Sequence, residues 1–280
     1  MQYSAHELNT RRISKRFVDF NLLLIGENGV GKKSFINTLC EEAVFDITDT
    51  TSSTSEFHVA TNEVIIRKEY PIRLTVHRTE NFGAELNNYS SFQKIVDFLD
   101  EKLEQKLAEE SKIARSRCTK EGLIHLVVLL VDPIMKGLKP LEVELISRIQ
   151  HKCNLVVCVS KCDMLNYPEL QQQKSLIQQS VATNKLKVFD FKAFVDEEDV
   201  DSELKEYYRQ IQQMMPFSII NANDSSHGVR NNIHHSVDVN KFSDFNVVRD
   251  VLFNLDLQGF KELSVNTIYE IYRTEKLLQK

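Results

Sequence analysis

A chain of 280 residues, 42% hydrophobic and 27% charged, is long and apolar enough to bury a core, which excludes the disordered, collagen-like and disulfide-scaffold classes. Its 35 basic residues are outnumbered by 40 acidic ones, and the net charge of -5 argues against a surface built for nucleic acid. Only 8 glycines and 5 prolines leave little material for a linker, so one large α/β domain is expected. Five cysteines (Cys40, Cys118, Cys153, Cys158, Cys162) make an odd count behind a polar N-terminus, and a reducing, cytoplasmic setting is expected. No apolar stretch reaches the roughly 20 residues of a membrane span.

In chain order, residues 1–17 form an N-terminal segment with Arg11, Arg12, Lys15 and Arg16 closely spaced, and 18–280 form the main domain. Residues 20–25 are an apolar run ending in Gly26, and a helical pattern restarts at Lys33, so a glycine-rich turn joins a buried strand to a helix. Residues 57–67 and 72–77 are β-rich runs around the turn Lys68-Glu69-Tyr70-Pro71, an antiparallel hairpin. Phe92, Ile95, Val96, Leu99, Leu103 and Leu107 then recur at three and four along a charged helix. Apolar runs at 123–131 and 155–159 bracket a helix starting near Pro140, which implies a parallel, doubly wound sheet. Pro168 opens the next helix, and Asp196-Glu197-Glu198-Asp199 is a solvated loop and helix start. Residues 217–220 give a last strand and 221–232 a polar loop; Ser243 caps a helix carrying Phe245, Val248, Val251 and Leu252, and a final helix runs from about 261 to 278.

Gly26-Glu27-Asn28-Gly29-Val30-Gly31-Lys32-Lys33-Ser34 has the glycine spacing and the lysine of a phosphate-binding loop, whose backbone N–H groups and helix N-terminus surround a polyphosphate. One position departs from that pattern. The residue after Lys32 should offer a hydroxyl to Mg²⁺, and it is Lys33, which cannot ligate a metal; Ser34 stands within reach of a phosphate instead. A second element, Val159-Ser160-Lys161-Cys162-Asp163, ends an apolar strand, and Asp163 suits the N1 and N2 donors of guanine. An ATP-using enzyme is disfavoured by the same carboxylate. Cys153, Cys158 and Cys162 lack C-x-x-C spacing, His234-His235 sits in a polar loop, and His77 is strand filler, so no metal centre is expected.

The phosphate loop, Ser160 to Asp163, Gly137-Leu138-Lys139-Pro140-Leu141 and Tyr269-Glu270-Ile271-Tyr272-Arg273-Thr274-Glu275-Lys276 together resemble the septins. Phe35-Ile36-Asn37-Thr38-Leu39-Cys40 and Glu109-Glu110-Ser111 are similar to septin segments too, so the resemblance runs from about residue 17 to 277. It implies an α/β, Ras-like P-loop GTPase domain, a mostly parallel doubly wound sheet with one antiparallel hairpin, followed by a septin-unique C-terminal helical element over about 223–280. It also implies assembly with other septins into non-polar filaments through two faces, one around the nucleotide and one of terminal helices. Localisation would be cytoplasmic, at the cytoskeleton, cell cortex or division site. The basic segment Arg11, Arg12, Lys15 and Arg16 resembles the polybasic stretch by which septins meet anionic membranes, and its simpler role is a solvated helix.

Departures from the septin pattern concentrate around the nucleotide. Where septins carry Asp-Thr-Pro-Gly-Phe-Gly, whose Asp holds Mg²⁺ through water and whose first Gly senses the γ-phosphate, this chain has Arg78-Thr79-Glu80-Asn81-Phe82-Gly83. The family's Gly after the last strand aligns with Asn221, its guanine-stacking Arg with Asn232, and the chain has no Trp for the Pro-Trp-Gly turn. The resemblance thus implies GTP or GDP contacts at Gly26, Asn28, Gly29, Val30, Gly31, Lys32, Lys33, Ser34, Lys161, Asp163, Asn221 and Asn232, with Mg²⁺ doubtful. Two functions compete: a filament subunit with a degenerate guanine-nucleotide pocket, acting in hetero-oligomers for cytokinesis or cortical scaffolding, and an active GTP-hydrolysing switch. For the first, Lys33 and Arg78 neutralise phosphate without metal, or the pocket is empty; hydrolysis is absent or very weak and no catalytic residue is assigned. One intact face places the subunit at the end of an oligomer. With no heptad array after Glu275, lateral pairing depends on partners.

Overall fold

The computed structural model describes residues 17–46, 56–66, 71–111, 122–134, 136–194, 202–220, 229–231, 236–238 and 242–278. Arg11, Arg12, Lys15, Arg16, Cys118, the acidic run at 196–199, Asn221, Asn232 and His234-His235 lie outside the described residues.

Strand β1 (Val18–Ile25) lies between β3 (Ile72–Glu80) and β4 (Leu126–Val131), parallel to both. Strand β2 (His58–Ile66) pairs antiparallel with β3 at the edge, and β5 (Leu155–Val159) and β6 (Phe217–Ser218) extend the sheet parallel on the other side. The order β2-β3-β1-β4-β5-β6 confirms the doubly wound sheet with one antiparallel hairpin. The apolar runs are continuous because both faces of β1, β4 and β5 are covered. Leu22, Leu24, Val128, Leu130, Val156 and Cys158 face one core. Leu23, Ile25, Val127, Leu129, Leu155 and Val157 face the other.

Helix α1 (Lys32–Cys40) contributes Phe35, Ile36 and Leu39 to the first core. In helix α2 (Tyr89–Glu110) the spacing of three and four puts Phe92, Ile95 and Leu99 into the second core, beside Leu145, Ile146 and Ile149 of α3 (Pro140–Ile149) and Leu170 and Ile177 of α4 (Tyr167–Thr183). Pro140 and Pro168 stand in the first turns of α3 and α4, where proline's missing N–H costs nothing. Helix α5 (Ser202–Met214) returns over the first core with Tyr208 and Ile211.

Two local expectations are corrected. The polar stretch ending at 232 is not all loop, because β7 (Val229–Asn231) pairs antiparallel with β8 (Ser236–Asp238). The cap of α6 (Phe245–Asp250) is Asp244, although Ser243 still accepts a 3.3 Å bond from Phe245 N with its Oγ. Asp244 does not cap with its carboxylate: Oδ2 accepts from Ser218 N (2.8 Å), Ser218 Oγ (2.7 Å) and Lys174 Nζ (2.7 Å), tying the helix start to β6 and α4.

The final helix expected from about 261 is the end of a longer helical run. From α6 the chain passes through a π-helical segment (Val251–Leu255), α7 (Leu257–Leu263), a second π-helical segment (Ser264–Tyr269) and α8 (Glu270–Leu278). A polar knot of buried groups fixes it to the sheet end away from the glycine loop. Asn154 Nδ2 donates to His125 O and Ser264 Oγ, each at 3.0 Å, and Asn21 N donates to His125 Nδ1 at 2.9 Å. Tyr269, fully buried, donates to Glu110 Oε2 at 2.7 Å, so the Glu109-Glu110-Ser111 segment and the tyrosine-rich segment, 159 residues apart, meet.

Candidate functional site

Chain order places the sheet's change of direction between β1 and β4, and ligands of such sheets lie in the crevice at the carboxyl ends of those strands. The glycine loop leaves β1 there. A Cβ on Gly26 would stand 2.8 Å from Val30 Cγ1 and 2.9 Å from Leu130 O, so only glycine lets the loop leave the strand against β4. Gly29 (φ 80°) and Gly31 (φ 99°) take conformations that side chains resist, and nothing lies within 4 Å of where a Gly29 Cβ would be. Gly31 caps α1 without a side-chain bond, and the first turn carries no acidic residue, so its N–H groups and dipole favour an anion. These features fit the polyphosphate of a nucleotide. Val30 is buried under the loop, while Ser34 sits in the first turn of α1 and its carbonyl accepts from Thr38 Oγ1.

Lys32 folds over the loop, its Nζ donating to Gly26 O and Glu27 O, each at 2.7 Å. Burial lowers its pKa to about 8, with Glu80 opposing the shift and Arg78 adding to it, so the ammonium still dominates at neutral pH. Lys33 and Arg78, the two cations at the expected metal position, have protein partners. Lys33 Nζ donates to Asp46 O at 3.4 Å. Arg78 donates to Glu80 Oε1 from Nε (3.0 Å) and Nη2 (2.6 Å), and its guanidinium lies 4.4 Å from the Phe45 ring centroid. Mg²⁺ requires near-octahedral oxygen donors. A lysine and an arginine supply none, so these two positions do not fit that ion.

Asn81 follows β3 in the left-handed conformation (φ 58°) and is hydrogen-bonded to Asn28 of the loop. The sequence marked Asn81 as a departure but carried no signal of this partner, 53 residues away. It likewise missed that Lys139 Nζ bonds Glu27 Oε1 at 2.7 Å and Asp132 Oδ2 at 3.3 Å, joining the start of α3 to the loop and the end of β4.

Asp163 is buried in a 3-10 turn (Cys162–Met164) directly after β5, behind Lys161 at φ 51°. The turn is anchored on both sides, by Ser160 Oγ donating to Val131 O (3.1 Å) and Cys162 N donating to Ile219 O (3.2 Å). Hence Lys161 and Asp163 come to the same edge of the sheet as the glycine loop, across β4. Cys153 and Cys162 are packing groups: Cys153 Sγ donates to Ile149 O and Cys162 Sγ to Val159 O, and burial pushes both thiols up to about 12. Among the described residues no group of three metal-ligating side chains occurs.

Beside the loop, Glu142 accepts from Lys139 N at 2.7 Å and is 3% exposed. Burial raises its pKa from 4.5 to about 7; the Lys139 N–H and ammonium oppose the shift, and Glu27 and Asp132 add to it. The folded state therefore holds a proton that the unfolded chain releases. This contribution is fully present below pH 4.5, is lost as pH rises to about 7, and is flat above. It should amount to about 3 kcal/mol. Glu142→Gln keeps an oxygen for the Lys139 N–H and should remove that slope in denaturation midpoints between pH 5 and 8; parallel profiles for both proteins would refute the assignment.

The septin family model matches residues 16–280. Septin CDC11 of Candida albicans is 29% identical over 99% of this chain and 75% of its own length. Cell division control protein 11 of Saccharomyces cerevisiae is 30% identical over 98% of this chain and 70% of its own. The crystal structure of Cdc11 from Saccharomyces cerevisiae superposes with a TM-score of 0.64 at 25% identity, covering 92% of this chain and all of that one. With the glycine loop, the Asp163 turn and the buried Tyr269 set on the fold that this family match describes, the chain belongs to the septin family.

Proposed function

We propose that the chain is a structural subunit of septin hetero-oligomers, acting in cell division, that holds a guanine nucleotide without Mg²⁺ and does not turn it over. One observation carries this: the phosphate cradle of Gly29, Gly31 and Lys32 is intact, whereas Lys33 and Arg78 replace both metal supports. In such a site Gly26 to Ser34 surround the phosphates, and Lys161 and Asp163 meet the guanine. Asn221 and Asn232 would complete its rim, and the charge that a metal supplies elsewhere comes from Lys32, Lys33 and Arg78. The terminal-helix face is the assembly surface, since α8 leaves Ile271, Leu277 and Leu278 exposed beside the buried Tyr269. Arg11, Arg12, Lys15 and Arg16 add contact with anionic membrane.

The test is one preparation with three measurements: the chain co-expressed with partner septins and purified as the oligomer, with and without EDTA. Chromatography of released nucleotide should find guanine nucleotide in both cases, and Asp163→Asn should weaken binding roughly 10-fold or more by removing a charged acceptor. Imaging should place the subunit at the oligomer's ends. Phosphoinositide vesicles should pellet the complex less well when the four basic residues are Gln. Nucleotide lost in EDTA, or a central position, contradicts the proposal.

A further inference from the structure

Asn81 and Asn28 exchange two hydrogen bonds. Asn81 N donates to Asn28 Oδ1 at 3.0 Å, and Asn28 Nδ2 donates to Asn81 Oδ1 at 2.9 Å. Asn81 Nδ2 also donates to Glu56 O at 3.1 Å. Because a backbone N–H can only donate, the oxygen of Asn28 must face it, and this orients both amides. The bridge therefore joins the glycine loop, the segment leaving β3 and the segment entering β2. A second contact reinforces it: a Cβ on Gly83 (φ 78°) would stand 3.0 Å from Glu27 Cγ, so the same segment lies on the loop's other outer residue, itself held by Lys139.

In phosphate-loop proteins the terminal phosphate of a triphosphate emerges between the loop and the segment after this strand, and a contact there orders the segment. Here a pair of neutral amides ties together the two segments that flank that path, and the Asn81 backbone N–H is committed to Asn28. A third phosphate must break the bridge. A diphosphate stays inside the cradle of Gly29, Gly31 and Lys32.

Resting on the nucleotide-site assignment above, we propose that the Asn28–Asn81 pair is a bolt that closes the site to the γ-phosphate, so that the chain takes guanosine diphosphate and refuses the triphosphate. The segment after β3 then keeps one position whatever nucleotide is offered, and the nucleotide-side face of the subunit does not cycle.

The test measures binding of GDP and of a non-hydrolysable GTP analogue, both in EDTA, to the full chain and to Asn28→Ala, Asn81→Gly and the double variant, with thermal melts confirming folding. Glycine suits the left-handed position, so Asn81→Gly leaves the backbone unstrained. The wild-type chain should prefer the diphosphate by about 30-fold or more, the worth of two neutral hydrogen bonds. Asn28→Ala removes both bonds and should bring the ratio within about threefold; Asn81→Gly keeps the backbone N–H bond to Asn28 Oδ1 and loses only the side-chain one, so it should leave about a fivefold preference, and the double should go no further than Asn28→Ala. Equal wild-type affinities, or a preference that survives Asn28→Ala in full, overturns the bolt alone. If the wild type binds neither nucleotide but Asn28→Ala binds the triphosphate analogue, the uptake of diphosphate is overturned and the closure to the triphosphate stands; if no protein binds either, the site assignment and the bolt fall together.

Discussion

Purified chain incubated with GTP and Mg²⁺ should release phosphate at the blank rate. Metal-assisted phosphoryl transfer needs the ion to neutralise charge that develops on the transferring oxygens, and the protein must hold that ion through a loop hydroxyl and a carboxylate. Lys33 occupies the hydroxyl position and reaches Asp46 O instead, while Arg78 occupies the carboxylate position and is held by Glu80 and Phe45. Neither side chain can accept a metal bond. Removing such stabilisation costs several kcal/mol, or roughly 10³-fold or more in rate. Phosphate release well above blank that disappears in Lys32→Ala would place turnover in this site and contradict the expectation.

Phe260→Ala should destabilise the chain by about 3–5 kcal/mol. Phe260 is 1% exposed, and its ring lies 4.9 Å from Phe189, 5.6 Å from Phe194 and 6.4 Å from Phe191 between centroids. The glycine before it is required by the same cluster, since a Cβ on Gly259 would meet Phe194 Cε1 at 2.7 Å. These rings join the C-terminal element to the first core beneath β5 and β6. Truncation leaves a cavity that surrounding aromatic rings fill poorly, and it loosens the hold of α7 on the first core. Denaturant midpoints should show the loss, and limited proteolysis should cut the C-terminal helices first. A control change at the exposed Ile271 should cost under about 0.5 kcal/mol. A Phe260→Ala cost below about 1 kcal/mol would mean that the C-terminal element is held by the Asn154 knot and not by this cluster.

The division between what was legible and what was not follows from the range of each signal. Burial on both sheet faces repeats residue after residue, so β1, β4 and β5 stood out as continuous apolar runs, and a helix with one buried face showed the spacing of Phe92, Ile95 and Leu99. The glycine loop was equally legible, because Gly26, Gly29 and Gly31 are each demanded by backbone geometry within one short turn. Local cap chemistry was less secure: Ser243 looked sufficient at the start of α6, but Asp244 took the cap while its carboxylate went to Ser218 and Lys174 across the fold. The π-helical segments had no periodic signature at all, since they follow from docking of Phe253, Phe260 and Tyr269 and not from propensity. The contacts that give the site and the C-terminal element their character are pairs between distant segments: Asn28 with Asn81 and Glu27 with Lys139 at the loop, Glu110 with Tyr269 at the far end of the sheet. The amino-acid sequence by itself determined the sheet, the glycine loop, the family and the cations at positions 33 and 78, all properties of single positions or short periods. Only the tertiary structure decided where the replacement side chains turned, because a hydrogen bond between residues 53, 112 or 159 apart exists only after the sheet has brought their segments together.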